Sequence, residues 1–168
     1  MRILRFSLIA LLSVLWLGSA QAGTFAKPVD KPILTITGNI ANTNVDKTAQ
    51  FDRKMLEDMG LVAIETKTPW YDRSVRFEGV PMAKLLDFVG AKGTTVTAVA
   101  LNDYVSSIPM EDFSKFNVIL AMRRDGSYMP VRDKGPLFII YPYDSKPELQ
   151  AQTYYMRSAW QVAKLNVE

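Results

Sequence analysis

The apolar residues of this chain fall in short runs separated by Gly, Pro or charged turns, a spacing that suits strands better than long helices. Ile33–Thr37 is rich in β-branched residues and stops at Gly38, which predicts a strand. Asp52 stands where an N-cap belongs and Gly60 where the helix would end, predicting a short helix over Arg53–Met59. Leu61–Thr68 alternates as a strand and ends at Pro69. Pro81 opens a second helix with apolar Leu85, Leu86, Phe88 and Val89, and Gly90 stops it. Val96–Leu101 and Tyr104–Ile108 read as strands, and Pro109–Phe113 as one helical turn. Asn117–Arg123 is a strand, Asp125-Gly126 a hairpin turn into Tyr128–Arg132, and Asp133–Pro136 a second tight turn. Leu137–Tyr141 is the most apolar strand, and Ala159–Val167 alternates through Trp160, Val162, Leu165 and Val167. Residues 23–31 read as a loose arm. The count is seven or eight short strands with two or three short helices, which makes the chain α+β with a mixed, mostly β architecture.

The first 22 residues follow a different rule. Arg2 and Arg5 precede the apolar run SLIALLSVLWLG, and Ala20-Gln21-Ala22 supplies a small-x-small cleavage site. This is the pattern of a cleavable signal peptide, and the run falls short of the roughly 20 residues a bilayer-spanning helix needs. Cleavage would leave a single domain over residues 23–168 and lower the net charge from +3 to +1, because the leader carries two Arg and no acid. No long basic run follows, so nucleic acid is not an expected partner.

Composition then removes whole classes of chemistry. The chain has 168 residues with no Cys and no His. Disulfides, thiolate nucleophiles, iron–sulfur clusters and Ser-His-Asp triads are therefore excluded, and any metal would have to take oxygen ligands. Export combined with an absence of thiols fits a periplasmic location.

Four polar and aromatic clusters lie between the apolar runs. Thr66–Arg73 contains Thr68, Trp70 and Tyr71 after a strand, and two adjacent aromatics in an extended loop cannot both face one core. Asn102-Asp103-Tyr104 forms a polar kink between two strands. Arg132-Asp133-Lys134 precedes Gly135-Pro136, and Tyr154–Ser158, with Arg157 and Ser158, enters the last strand. Each cluster alone also fits an ordinary turn or an interfacial aromatic pair. Together they suit a pocket for a flat, hydrogen-bonding ring: aromatics stack on it, Asp accepts from its NH groups, and Arg or Lys meets its carbonyl.

The order of these segments resembles the molybdopterin-binding domain of the sulfite oxidase superfamily. The resemblance rests on ILTITG, FDRKMLEDMG, LVAIETKT, Phe77-Glu78-Gly79-Val80-Pro81 before Leu85-Leu86, NDYVSSIP, LAMRRDGSYMPV, Lys134-Gly135-Pro136 before LFIIYP, and Arg157-Ser158-Ala159-Trp160. It implies a sulfite-oxidase-like fold and a pterin-shaped cleft. The departures are specific: Thr66 or Thr68 stands near the place of the molybdenum-binding Cys, Lys134 replaces the turn His, and Phe138 replaces the Arg after it. A hydroxyl does not substitute for a soft thiolate, so a molybdenum cofactor is not expected and a reduced pterin is the expected ligand. The chain is most similar to small exported, cysteine-free pterin-binding proteins. That likeness implies a non-catalytic periplasmic ligand sensor acting on a membrane-bound diguanylate cyclase or phosphodiesterase. The alternative is a molybdopterin-dependent oxidoreductase or its accessory subunit.

Overall fold

The computed structural model describes residues 24–168, so the leader assigned to residues 1–22 lies outside the described residues. Ten strands form two sheets. The first has β1 (Leu34–Gly38), β2 (Ala49–Phe51), β5 (Thr95–Ala100), β6 (Val105–Pro109) and β10 (Val162–Val167), in the order β2-β1-β10-β5-β6. Its pairs are antiparallel except β1 with β10. The second runs β3 (Val62–Thr68), β4 (Tyr71–Pro81), β7 (Ile119–Arg124) and β8 (Ser127–Tyr128), and β9 (Phe138–Ile140) also pairs with β7. Four short helices complete the fold: α1 (Arg53–Asp58), α2 (Met82–Phe88), α3 (Glu111–Lys115) and α4 (Gln152–Arg157). The architecture is the expected mostly β, α+β fold, with more strands and one more helix than the sequence reading counts.

The main core lies between the sheets and includes Ile36, Leu85, Val96, Leu120 and Leu165. A smaller cluster of Val75, Phe77, Ile119, Ala121, Met129, Phe138 and Ile140 covers the opposite face of the second sheet. β7 and β9 are therefore buried on both faces. This is why VILAM and LFIIY are continuous apolar runs instead of alternating ones.

The predicted signals at element ends hold. Asp52 Oδ1 accepts from Met55 N–H at 2.9 Å as the α1 cap, and Gly60 takes φ +86 just past the helix. Pro81 is the N-cap of α2, and Gly90 stops it with φ +61. Asp125 and Gly126, with φ +49 and +80, make the hairpin turn between β7 and β8.

Four readings change. The arm is not loose: Asp52 Oδ2 also accepts from Val29 and Asp30 N–H, and Phe25 stacks on Phe51 at 5.4 Å. β4 is an eleven-residue strand. Its Val75 and Phe77 face inward, and a register shift at Glu78/Gly79 breaks the alternation. At that shift a side chain on Gly79 would meet the Leu120 carbonyl at 2.1 Å, so only glycine fits against β7. The strand expected over Tyr128–Arg132 is cut to two residues, because Pro130 has no N–H for the ladder and Val131–Asp133 turns as 3-10 helix. The segment Tyr154–Arg157, read as an entry to the last strand, is the C-terminal part of α4, and that strand starts at Val162 instead of Ala159.

Asp52 joins a helix start to the arm, so Asp52→Ala should cost about 1 kcal/mol or more in a denaturant titration. Chiefly the Met55 N–H bond, opposed by burial, holds the Asp52 carboxyl below the ordinary value of 3.8. Its stabilisation is present above that value and is lost as pH falls through the lowered one. Asp52→Asn should flatten this acid limb of the stability curve.

Candidate functional site

The turn between β3 and β4 brings Pro69 and Trp70 to one end of the molecule. The turn between β5 and β6 brings Asn102 and Tyr104 to the same end. Across from them stand α4, through Gln152, Tyr155 and Met156, and the stretch Ser158–Trp160. Together they enclose a cleft of about 320 Å³. Trp70 meets Phe138, Tyr143, Tyr155 and Trp160 at centroid distances of 5.3, 6.2, 6.1 and 5.7 Å, each at a steep angle. Such edge-to-face packing fixes the indole plane while leaving part of it on the cleft.

Hydrogen bonds hold the two walls at a set distance. Tyr104 OH and Ser106 Oγ both donate to the Met156 carbonyl, at 2.8 and 3.0 Å, tying the end of α4 to β6. Asn102 Oδ1 accepts from Tyr104 N–H at 3.2 Å, and Asp103 takes φ +64, which closes the turn. Thr68 Oγ1 accepts from Trp70 N–H at 3.3 Å and shapes the opposite turn. Ser158 is buried at the cleft floor, where its hydroxyl meets Tyr143 OH and donates to the Tyr154 carbonyl. Burial drives the Tyr143 hydroxyl well above its ordinary value, so it stays protonated.

A charged cluster adjoins the tryptophan wall. Arg124 donates to Tyr71 OH and to Asp133 Oδ2, both at 2.6 Å. Its hydrogen bond with Asp133 raises the guanidinium further above its normal value, and the same bond depresses the Asp133 carboxyl. Burial raises the Tyr71 phenol, and Arg124 opposes that shift. Lys134, at φ +66, holds its Nζ 5.0 Å from the Tyr71 ring and 5.6 Å from the Trp160 ring. It is thus a cation carried against the outer side of the cleft's own Trp160.

The eleven residues singled out from sequence divide accordingly. Trp70, Asn102, Tyr104 and Ser158 line the cleft. Tyr71, Asp133 and Lys134 gather around Arg124 beside it, while Thr68 and Asp103 set turn geometry. Arg132 is exposed on the 3-10 turn and does not line the cleft. Arg157 is directed elsewhere: its Nη1 donates to Asp112 Oδ2 at 2.7 Å, an oxygen that also accepts from Tyr141 OH. Sequence reasoning does not single out Gln152, Trp160 or Arg124, and within the Tyr154–Ser158 cluster it singles out Arg157 and Ser158 but not Tyr155 or Met156, which line the cleft. Trp160 reads as an alternating strand residue, and Gln152 comes to the cleft only because Gln152–Arg157 folds as α4.

The family described as oxidoreductase molybdopterin-binding domain matches residues 41–144. The chain belongs to this family. No curated protein matches it. The matched stretch covers both turns of the cleft and the charged cluster, and it ends before α4.

Family membership raises the question of whether the residues present fit a molybdenum-bearing pterin. They do not. Thr66, near the place of the metal-binding Cys, is fully buried; its hydroxyl accepts from Asp144 N–H at 3.1 Å and donates to the Lys67 carbonyl at 3.3 Å. Thr68 is engaged with Trp70. The chain contains no thiol or imidazole, and the described residues hold no group of three or more acidic side chains placed to bind a metal. The donor set is wrong for molybdenum, while the aromatic walls remain suited to a ring.

Because Trp70 touches both clusters, Trp70→Ala should destabilise the protein by about 3–5 kcal/mol. Urea denaturation of the two proteins measures it.

Proposed function

We propose that this protein is a periplasmic, non-catalytic module that holds a small reduced pterin without metal. We further propose that it passes occupancy of the cleft to a membrane-bound signalling partner of the diguanylate cyclase or phosphodiesterase type. One observation carries the reading: a family that binds molybdopterin is represented here by an aromatic-walled cleft, while Thr66 and Thr68, one or the other near the expected place of the metal-binding Cys, commit their hydroxyls to internal hydrogen bonds. Small-molecule sites run from about 300 to 1,000 Å³, and this cleft sits at the small end, which suits a bicyclic ring better than a larger cofactor.

The chemistry of the walls supports the same ligand. Trp70, Tyr104 and Trp160 offer faces and edges to a flat ring. Asn102 and Gln152 supply amide donors and acceptors that match the lactam and amino groups of a pterin. Lys134 stands outside the cleft lining and adds a positive charge beside Trp160. Catalysis by these residues has little support, since the cleft lining holds no ionisable side chain except the phenols of Tyr104 and Tyr155. The proposed location rests on the leader, and the proposed partner on the likeness to exported pterin-binding proteins.

Titration of the apo protein with tetrahydropterin under anaerobic conditions, followed by tryptophan fluorescence, tests the reading. Saturable quenching is expected, and Asn102→Ala should weaken binding by about tenfold through a lost hydrogen bond. Absence of saturable binding, or an unchanged affinity in both Asn102→Ala and Gln152→Ala, would remove the cleft as the pterin site.

A further inference from the structure

The strands at the sheet margins are not treated alike. At β2, the Asn44 side chain occupies both outward groups of Gln50: Nδ2 donates to its carbonyl and Oδ1 accepts from its N–H, each at 2.8 Å. β3 carries Glu65 and Lys67, and Asp144 Oδ2 accepts from Lys67 N–H at 2.7 Å. β8 is only two residues long. The outer side of β9 is covered by the following chain, with Ile139 N–H donating to the Ala159 carbonyl. Blocking, charge, shortness and cover are the usual ways of preventing edge-to-edge pairing. β6 is neither blocked, charged nor cut to two residues, and α4, tied to it through Tyr104 and Ser106, makes no hydrogen bond to its outward backbone groups.

Its register shows which backbone groups are free. Ala100 N–H donates to the Tyr104 carbonyl, and Met110 N–H to the Thr94 carbonyl. The ladder alternates between bonded and non-bonded pairs, so Ser106 and Ile108 bond to β5 while Val105 and Ser107 direct N–H and C=O away from it. No hydrogen bond among the described residues connects those outward groups to another part of the chain. The sequence Val105-Ser106-Ser107-Ile108-Pro109 has no charge. Leu101, Tyr104, Val105 and Met156, all large, apolar or aromatic and exposed, surround this edge. A groove of about 280 Å³ runs between the edge and α4.

We propose that β6 is a self-association seam, with two copies of this chain pairing antiparallel across a two-fold axis at Ser106. In that register Val105 of each copy lies opposite Ser107 of the other, and their free peptide groups bond reciprocally. The edge is its own complement for three reasons. Both bonding residues have an N–H, no like charges meet, and Pro109, which lacks one, falls outside the paired stretch. The only charged side chain of α4, Arg157, is paired with Asp112 at 2.7 Å, so this helix brings no unpaired charge to the groove. The exposed apolar residues around the seam would then be covered.

Sedimentation equilibrium of the periplasmically expressed protein, over a range of concentrations, tests this. A monomer–dimer equilibrium is expected. Ser107→Pro removes an outward donor without touching the β5 ladder, and Val105→Lys places a charge at an already exposed position. Each should raise the dimer dissociation constant by at least about tenfold while the circular dichroism spectrum stays unchanged. Hydrogen exchange at the Val105 and Ser107 amides should slow with concentration in the wild type and not in the variants. A wild-type monomer at all concentrations overturns the proposal. So does a dimer that neither variant weakens, including one built on another surface or a complex formed only with a different protein.

Discussion

The packing of Trp70 is the constraint on which most of this structure depends. Its ring is in contact with both hydrophobic clusters, the one between the sheets and the one on the far face of the second sheet. Phe138 on β9, Trp160 ahead of β10, Tyr155 on α4 and Tyr143 all turn their rings toward it. Four separate chain segments are thereby fixed relative to the β3–β4 turn. The cleft is the space left on the solvent side of this cluster, with Trp70, Tyr155 and Trp160 of the cluster along its wall. A ligand binding there would meet surfaces already ordered, which lowers the entropic cost of binding.

Much of the fold was legible wherever a local signal had a local cause. Asp52, Gly60, Pro81, Gly90 and Asp125-Gly126 mark element ends through hydrogen bonds and dihedral preferences that need no distant partner. The long apolar runs announced β7 and β9, and their burial on both faces explains why they do not alternate. What escaped was set by tertiary contacts. β4 loses its alternation at a register shift against β7, and its charged positions Arg73, Arg76 and Glu78 resemble a loop. α4 has no side-chain cap and is rich in residues that favour strands; its end is held by Tyr104 and Ser106, which lie far away in sequence. The site followed the same division. Clusters in turns were visible, yet their grouping into one cleft and one Arg124-centred network was not, and the direction of Arg157 depends on a buried Asp112 some forty residues earlier.

Family membership and local chemistry point in compatible directions only when treated separately. Membership of the molybdopterin-binding family accounts for the fold. Near the expected place of the metal-binding Cys, the Thr66 hydroxyl is engaged by Asp144 and Lys67 and the Thr68 hydroxyl by Trp70, and a hydroxyl is a poor ligand for a soft metal. Lys134 in the turn carries a positive charge against the Tyr71 and Trp160 rings.

The central claim is that the cleft holds a pterin and no molybdenum. The most direct measurement is mass spectrometry of the denatured extract from protein expressed with its own leader and purified anaerobically from periplasm, with molybdenum assayed on the same sample. The account predicts a reduced pterin without a dithiolene side chain and molybdenum far below one atom per chain. Molybdenum at a near-stoichiometric level, or a bound molybdopterin, would contradict it.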